Sequence, residues 1–432
     1  MELEDTIKLF DKNGDLIRIK DKVSTEYEIA ENLIKYEPRP VIFERVSGYK
    51  TKVVGNIFAS RENIASIIGV KKEEILFKLM KAMENPIPTK LVKNAKCQEV
   101  IEKDVDLNSI PILKHFKKDA GKYITAGFVI AKDKENGKVR RNASVHRLLV
   151  KNKDELLIRI VPRHLYEILQ NHKERNENPK VAICIGAEPA CLIAASMQVP
   201  REIFEMEIAS SLLNRELEMT KCKTIDLEVP ANSNYVLEGE ILLDKKEKEG
   251  PFIDITGTYD IIREEHVVKI NAITHRKEPI YQALLPGFSE HQLLMGLPQE
   301  PKIYRALQSA EINVQRINLT RGGCNWFHAI ISIKKKKENE GKNAIMAACT
   351  VHPSLKKVTV GDDDIDVFNM EEVEWAEATR LDPLRGIIKY EAAGSTLDKI
   401  GKGNKWGIDA TLPLEILNDE EKFQTFVRVK KK

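Results

Sequence analysis

The sequence predicts a mixed α/β (α+β) protein in three parts, and three observations carry that expectation. Its 432 residues exceed what one hydrophobic core normally serves. Helix-period and strand-period segments alternate at both ends of the chain, the pattern of α/β layers. Between those ends, β-rich runs crowd together from about Lys122 to Leu285, as in a barrel-like antiparallel sheet. The parts are an N-terminal α/β lobe over 1–115, a strand-rich centre over 116–289 and a C-terminal α/β domain over 290–432.

In the first part, Ile29, Leu33 and Ile34 recur at helical spacing within Thr25 to Tyr36, and VIFERV from Val41 reads as a short strand. VVGNIF from Val53 is a second strand, followed by a helix over Arg61 to Ile68 that Gly69 stops. A further helix runs from Val70 to Met83, ended by Pro86 and Pro88, and a lysine-rich linker extends to about Glu102.

The centre opens with YITAGFVIA, SVHRLLV and ELLIRIV, separated by Gly137 and by a turn at Lys151–Asp154. A helix near Leu165 to His172, the strand VAICIG and the small-residue stretch EPACLIAASM follow. Arg201 to Arg215 is helical by period, and TIDLEV, YVLEGEILL, HVVKINAI and IYQALL complete the strands. In the last part a helix over His291 to Ser309 precedes INVQRINL and HAIISIK. A helix near Ala344, the strand KKVTVG and a helix over Met370 to Arg380 end the series.

Bulk composition excludes several classes. Lys and Arg number 69 against 66 Asp and Glu, a balance that argues against a dedicated nucleic-acid binder. Six scattered cysteines without a CxxC pair read as reduced thiols. No apolar run is long enough for a membrane helix, and MELEDTIKLF lacks the pattern of a secretory signal, so a soluble cytoplasmic protein without a membrane span is expected. The acidic run Asp362–Asp366 sits between a strand and a helix and reads as helix capping. Lys334–Lys337 and the Lys430–Lys432 tail read as solvated turns and ends.

No P-loop, HExxH, GxSxG or GxGxxG is present. Seven longer phrases are present instead, in order: GDLIRI, VVGNIFASRENIA, DLNSIPILKH, NASVHR, LEVPANSNYVLEGEI, EGPFIDITG and GNKWGIDAT. Together they resemble the UbiD family of prenylated-FMN-dependent decarboxylases, across nearly the whole chain. The resemblance implies a central flavin-binding split β-barrel and a C-terminal α/β oligomerisation domain that makes homodimers or hexamers. It also implies a separate flavin prenyltransferase as cofactor supplier.

The resemblance further implies a divalent metal, Mn2+ or Mg2+, bound by Asn142, His164 and Glu205 and bridging to the cofactor phosphate. Relatives read Ser-His-Arg where this chain has Pro162, Arg163 and His164, so the imidazole ligand is His164 or stands one position away. Oxygen ligands with one imidazole suit a hard cation. Val145, His146, Arg147, Arg159, Ile160, Val161, Arg163, His164 and Lys405 are implied cofactor contacts, and Met197 an implied K+ contact.

Arg147, Glu249 and Asp254 match the catalytic set: an acid, four intervening residues, a second acid, and an Arg placed between them. By itself Glu249 reads as part of a lysine-rich surface turn, KKEKEG. The implied chemistry is removal of CO2 from a small-molecule carboxylic acid, with the flavin as electron sink and a protein acid as proton donor. Which of the two acids holds the proton is open, because neighbouring carboxylates titrate together. The compact chain is similar to archaeal relatives that convert trans-anhydromevalonate 5-phosphate to isopentenyl phosphate. A 4-hydroxybenzoate-type aromatic substrate, or a non-catalytic flavin-binding subunit, are the alternatives.

Overall fold

The computed structural model describes residues 1–135 and 137–429, so the Lys430–Lys432 tail lies outside the described residues. The chain divides into two compact units, Met1–Leu294 and Met295–Lys432.

The first unit begins with a helix that the sequence reading passed over, Leu3–Lys12, which buries Leu3, Ile7 and Phe10 at helical spacing. A four-stranded sheet follows in the order Ile17–Val23, Val41–Val46, Lys52–Gly55 and Ile280–Gln282. Its last strand returns from far along the chain, so the N-terminal lobe and the strand-rich centre share one core. Leu33, Phe43 and Val53 belong to the same buried cluster as Val129, Ile183 and Leu237.

The centre is a nine-stranded antiparallel sheet in the order Tyr123–Ile124, Leu148–Val150, Glu155–Ile158, Arg263–His275, Tyr235–Glu249, Lys180–Ile185, Gly127–Glu135 and Lys138–Val145, with Val100–Glu102 added beside Arg263–His275. Only two residues, His146 and Arg147, join the strand at one edge to the strand next to the other edge. Three Cα steps span at most about 11 Å. The two edges must therefore approach each other, which rolls the sheet into a split barrel. Thr125 and Ala126 make a second such short link.

Strand lengths differ from the sequence reading at one place that matters. YVLEGEILL continues through the lysine-rich run to form one strand, Tyr235–Glu249, with Glu249 opposite Arg263. Its outer half alternates exposed Lys with inward side chains, a half-buried strand disguised by charge. Glu249 is thus no surface turn: it is 0% exposed.

The second unit holds a five-stranded sheet. His328–Ile333, Lys357–Asp362 and Asn404–Asp409 pair in parallel, and Val314–Leu319 and Ile387–Glu391 add antiparallel edges. Helices Gln299–Ser309 and Glu340–Val351 cover it through Ile303, Leu307, Ala344 and Ile345. The expected helix over His291 to Ser309 is two helices, Ser289–Gly296 and Gln299–Ser309, because Pro298 between them cannot continue a helix. The aspartates of the acidic run do not cap the next helix, whose cap is Asn369 accepting from the Glu371 N–H. Asp362 and Asp364 instead hold the buried Arg380 at 3.1 and 2.6 Å. All six cysteines are free. No helix among the described residues is long and apolar enough to cross a membrane.

Candidate active site

Alternation along the strand Lys138–Val145 puts Asn142 and Ser144 on one face, and His146 continues that file past its end. Asn142 Nδ2 donates to Glu205 Oε1 at 2.9 Å, and the Ala143 N–H donates to Glu205 Oε2 at 2.7 Å. Glu205 is the first residue of the helix Glu205–Leu213, which starts four residues later than its period suggested. His164 is likewise the first residue of its helix, and its Nδ1 stands 4.0 Å from Glu205 Oε1. Three side chains far apart in sequence thus meet at one carboxylate oxygen.

The same strand face continues outward. Ser144 Oγ is 2.9 Å from Asn142 Oδ1 and 2.9 Å from His146 Nε2, and His146 Nδ1 is 2.8 Å from the Arg159 carbonyl oxygen. Burial pushes the His146 imidazole down to about 4, with the nearby Arg163 charge adding to the effect, so the ring is neutral. Arg159 pairs with Glu265 at 2.6 Å, Ile160 is buried, and Val161 and Arg163 stand exposed.

Arg147 follows immediately and turns to the end of the long strand. Its Nη2 donates to Glu249 Oε2 at 2.7 Å, while the Tyr123 hydroxyl donates to Oε1 at 2.9 Å. Burial opposes the Arg147 charge, but Glu249 and then Asp260 offset it and hold the guanidinium above its ordinary range. Burial, reinforced by Glu249, pushes the Tyr123 phenol up, so it stays a donor. Phe252 packs against Tyr123 with ring centres 3.9 Å apart and the planes tilted by 31°, and lies 5.5 Å from the Arg147 guanidinium carbon.

Asp254 takes a different place from the one its spacing suggested. The second carboxylate on Arg147 is Asp260, at 3.4 Å, itself paired with Arg263. Asp254 sits in a turn closed by the Gly257 N–H on its carbonyl, and its Oδ1 accepts from the Ile255 N–H at 2.7 Å. Its side chain faces the electrostatic field of His291, whose imidazole burial holds below the ordinary range while Asp254 pulls it up and Arg147 pushes it down. The Gly287 N–H donates to His291 Nδ1 at 3.0 Å, which leaves the ring proton on Nε2. Gly287 is at φ +77°, and a Cβ there would come within 3.0 Å of the Asp254 carbonyl oxygen, so only glycine lets the two segments close.

Met197 is buried just past the small-residue helix Pro189–Ala195. Lys405 belongs to the second unit, where its buried Nζ donates to the Pro353 and Leu355 carbonyl oxygens. Sequence reasoning passed over Tyr123, Asp260, His291 and the side chain of Ser144. Tyr123 reaches the site from the strand Tyr123–Ile124 and His291 from the helix Ser289–Gly296, neither at a fixed spacing to the motifs. Asp260 stands six residues past Asp254, where a look for further acids beside EGPFIDITG would have met it.

Comparison with known proteins is consistent from end to end. The chain matches the N-terminal, Rift-related and C-terminal domain models of 3-octaprenyl-4-hydroxybenzoate carboxy-lyase over residues 7–83, 90–289 and 292–410. It is 43% identical over 424 residues to the anhydromevalonate phosphate decarboxylase of Methanothermobacter thermautotrophicus, covering 97% of this chain and 98% of that one. The enzyme of the same name from Methanosarcina mazei is 42% identical, with 98% of each chain covered. Among solved structures, the UbiD-class enzyme HmfF from Pelotomaculum thermopropionicum in complex with FMN superposes with a TM-score of 0.94. The two are 38% identical over 99% of this chain and 97% of that one.

Proposed function

The chain belongs to the UbiD family of carboxy-lyases, and from that premise we propose that it decarboxylates trans-anhydromevalonate 5-phosphate to isopentenyl phosphate and CO2. The observation that carries this substrate is the end-to-end match, at 43% identity, to an anhydromevalonate phosphate decarboxylase. The interlocked Arg147 and Glu249 support turnover over a silent binding role, since a binder has no use for a guanidinium and a carboxylate buried together.

The residues present fit both groups that the family implies. Asn142, Glu205 and His164 converge with two oxygen-bearing side chains and one imidazole, a donor set that suits Mn2+ or Mg2+. They would hold such an ion, and Met197 would contribute to a K+ site. Val145, His146, Arg147, Arg159, Ile160, Val161 and Arg163 would line the flavin. Prenylated FMN, when bound, supplies the sink for the electrons released with CO2.

This chain's own residues do the rest. Arg147 orients the substrate carboxylate, with its charge maintained by Glu249 and Asp260. Tyr123 and Arg147 occupy both oxygens of Glu249, which locks that acid in place. Asp254, half-buried and so still open to solvent, gives the product carbon its proton and takes up another from water. Phe252 and Tyr123 wall the site with aromatic surface that excludes water. The active form is a homo-oligomer, and a flavin prenyltransferase supplies the cofactor.

The test uses protein co-expressed with a flavin prenyltransferase and kept anaerobic. The released cofactor is identified by mass spectrometry, and CO2 release from trans-anhydromevalonate 5-phosphate and from 4-hydroxybenzoate is measured on the same sample. Prenylated FMN with CO2 from the phosphorylated acid alone is the expected result. CO2 from 4-hydroxybenzoate alone overturns the substrate, and absence of any flavin overturns the catalytic reading.

A further inference from the structure

Ser144 has no part in the reaction described above, yet it sits at the centre of a file of polar groups: Glu205, Asn142, Ser144, His146 and the Arg159 carbonyl. Counting protons along that file fixes its direction. A carbonyl oxygen only accepts, so His146 Nδ1, 2.8 Å from the Arg159 oxygen, must carry a proton. In a neutral imidazole Nε2 is then an acceptor. Its neighbour at 2.9 Å is the Ser144 hydroxyl, which has a single proton to give.

With the amide as the structure has it, Nδ2 toward Glu205 and Oδ1 toward Ser144, both neighbours of Ser144 ask for that one proton. One 2.9 Å contact is left between two acceptors. Turning the amide end for end resolves the conflict: Ser144 donates to His146, and Asn142 Nδ2 donates to Ser144. Asn142 Oδ1 then faces Glu205 Oε1. Two oxygens that close to each other, with no proton between them, are reconciled by a cation.

We propose that Ser144, backed by His146 and the Arg159 carbonyl, is a positioning residue that turns the Asn142 amide so that its oxygen and Glu205 face a divalent cation together. The inference rests on the metal reading given above. It adds that the amide's orientation is set by a hydroxyl two residues along the strand, and that the file is fully satisfied only with the ion in place. Outer partners of this kind orient ligands in metal sites generally, and losing one typically costs about 10–100-fold in metal affinity.

The experiment titrates Mn2+ into the full-length protein loaded with FMN and reads the free ion by electron paramagnetic resonance. Ser144→Ala is expected to weaken Mn2+ binding by about 10-fold or more. Ser144→Thr, which keeps the hydroxyl, is expected to stay within about 3-fold of the unaltered protein. In an Asn142→Asp background the Ser144→Ala effect should shrink to less than about 3-fold, because a carboxylate presents an oxygen whichever way it is turned. An equal loss in both backgrounds means that Ser144 acts only as packing and overturns the proposal. So does Ser144→Ala binding as tightly as the unaltered protein, or loss of Mn2+ from Asn142→Asp alone. No Mn2+ binding by the unaltered protein overturns the metal reading as well, which separates the two failures. Should Ser144→Ala fail to fold, Ser144→Cys, of similar size and a weak donor, enters the same cycle with the same expectations.

Discussion

Arg147 Nη2 donates to Glu249 Oε2 across 2.7 Å, and the carboxylate it holds is wholly shut off from solvent. Water cannot reach the carboxylate, although 14% of the Arg147 side chain is exposed. The Tyr123 hydroxyl fills the other oxygen, so a group that sequence context disguised as a surface lysine-run acid is the most constrained acid of the site. Removing one half of such a pair leaves the other buried and uncompensated.

Glu249→Gln keeps the volume and the Tyr123 contact but gives up the charge. Arg147 then retains only Asp260, at 3.4 Å, which Arg263 also claims. Decarboxylation should fall by about 100-fold or more, and folding stability by about 2–4 kcal/mol. Both are measurable on one preparation, by CO2 release and by denaturant unfolding at matched cofactor content. Activity within a few-fold of the unaltered enzyme would remove Glu249 from the catalytic set.

Asp254 and Asp260 divide roles that sequence spacing alone could not assign. Asp254→Asn should abolish product, by more than about 100-fold, while prenylated FMN stays bound at normal stoichiometry. Asp260→Asn should cost nearer 10-fold, because Arg147 keeps its short contact to Glu249. Steady-state rates and flavin absorbance for the two variants give the comparison. The reverse ranking would transfer the proton-donor role to Asp260.

At the other end of the site, Glu205 binds Asn142 and the Ala143 N–H together and stands 4.0 Å from His164. Glu205→Ala should therefore release divalent metal and flavin in parallel. Metal analysis and flavin absorbance after desalting check this. Flavin retained at full occupancy without metal would show that the cofactor does not depend on this carboxylate.

Much of this is legible in the sequence, and what is not has physical causes. Local phrases named Asn142, Arg147, Glu205, Glu249 and Asp254 because each lies inside a contiguous motif. The partners that complete the site come from elsewhere: Tyr123 from another strand, and His291 from the first turn of the helix Ser289–Gly296, with Gly287 just before it packed on Asp254. Register across a rolled sheet cannot be read from spacing within one segment. The strand through Glu249 was cut short for a related reason, since exposed lysines on alternate positions hide a half-buried period. Leu3–Lys12 was overlooked because its charged face dominates a ten-residue segment.

His115, from the DLNSIPILKH phrase, makes a prediction that isolates one buried group. Its ring is 1% exposed and meets Phe252 edge-on, with centroids 6.1 Å apart. Burial pushes its pKa down to about 3, against an ordinary value of 6.5. Between those values the unfolded chain binds a proton that the folded one refuses, so unfolding free energy falls as pH drops from 6.5 toward 3 and the term vanishes above 6.5. Other buried groups pull the opposite way. Burial raises Asp119 to about 6 and Glu290 to about 7, so the fold takes up their protons first and gains from acidification. The whole-protein pH profile mixes these signs, but a difference curve does not. His115→Leu fills the same apolar space without a titrating group. At pH 7.5 it should unfold within about 1 kcal/mol of the unaltered protein, and at pH 4.5 it should be more stable than it by about 3 kcal/mol. Urea unfolding of both proteins at the two pH values makes the measurement. A difference that stays constant with pH would mean that the His115 ring accepts its proton inside the fold.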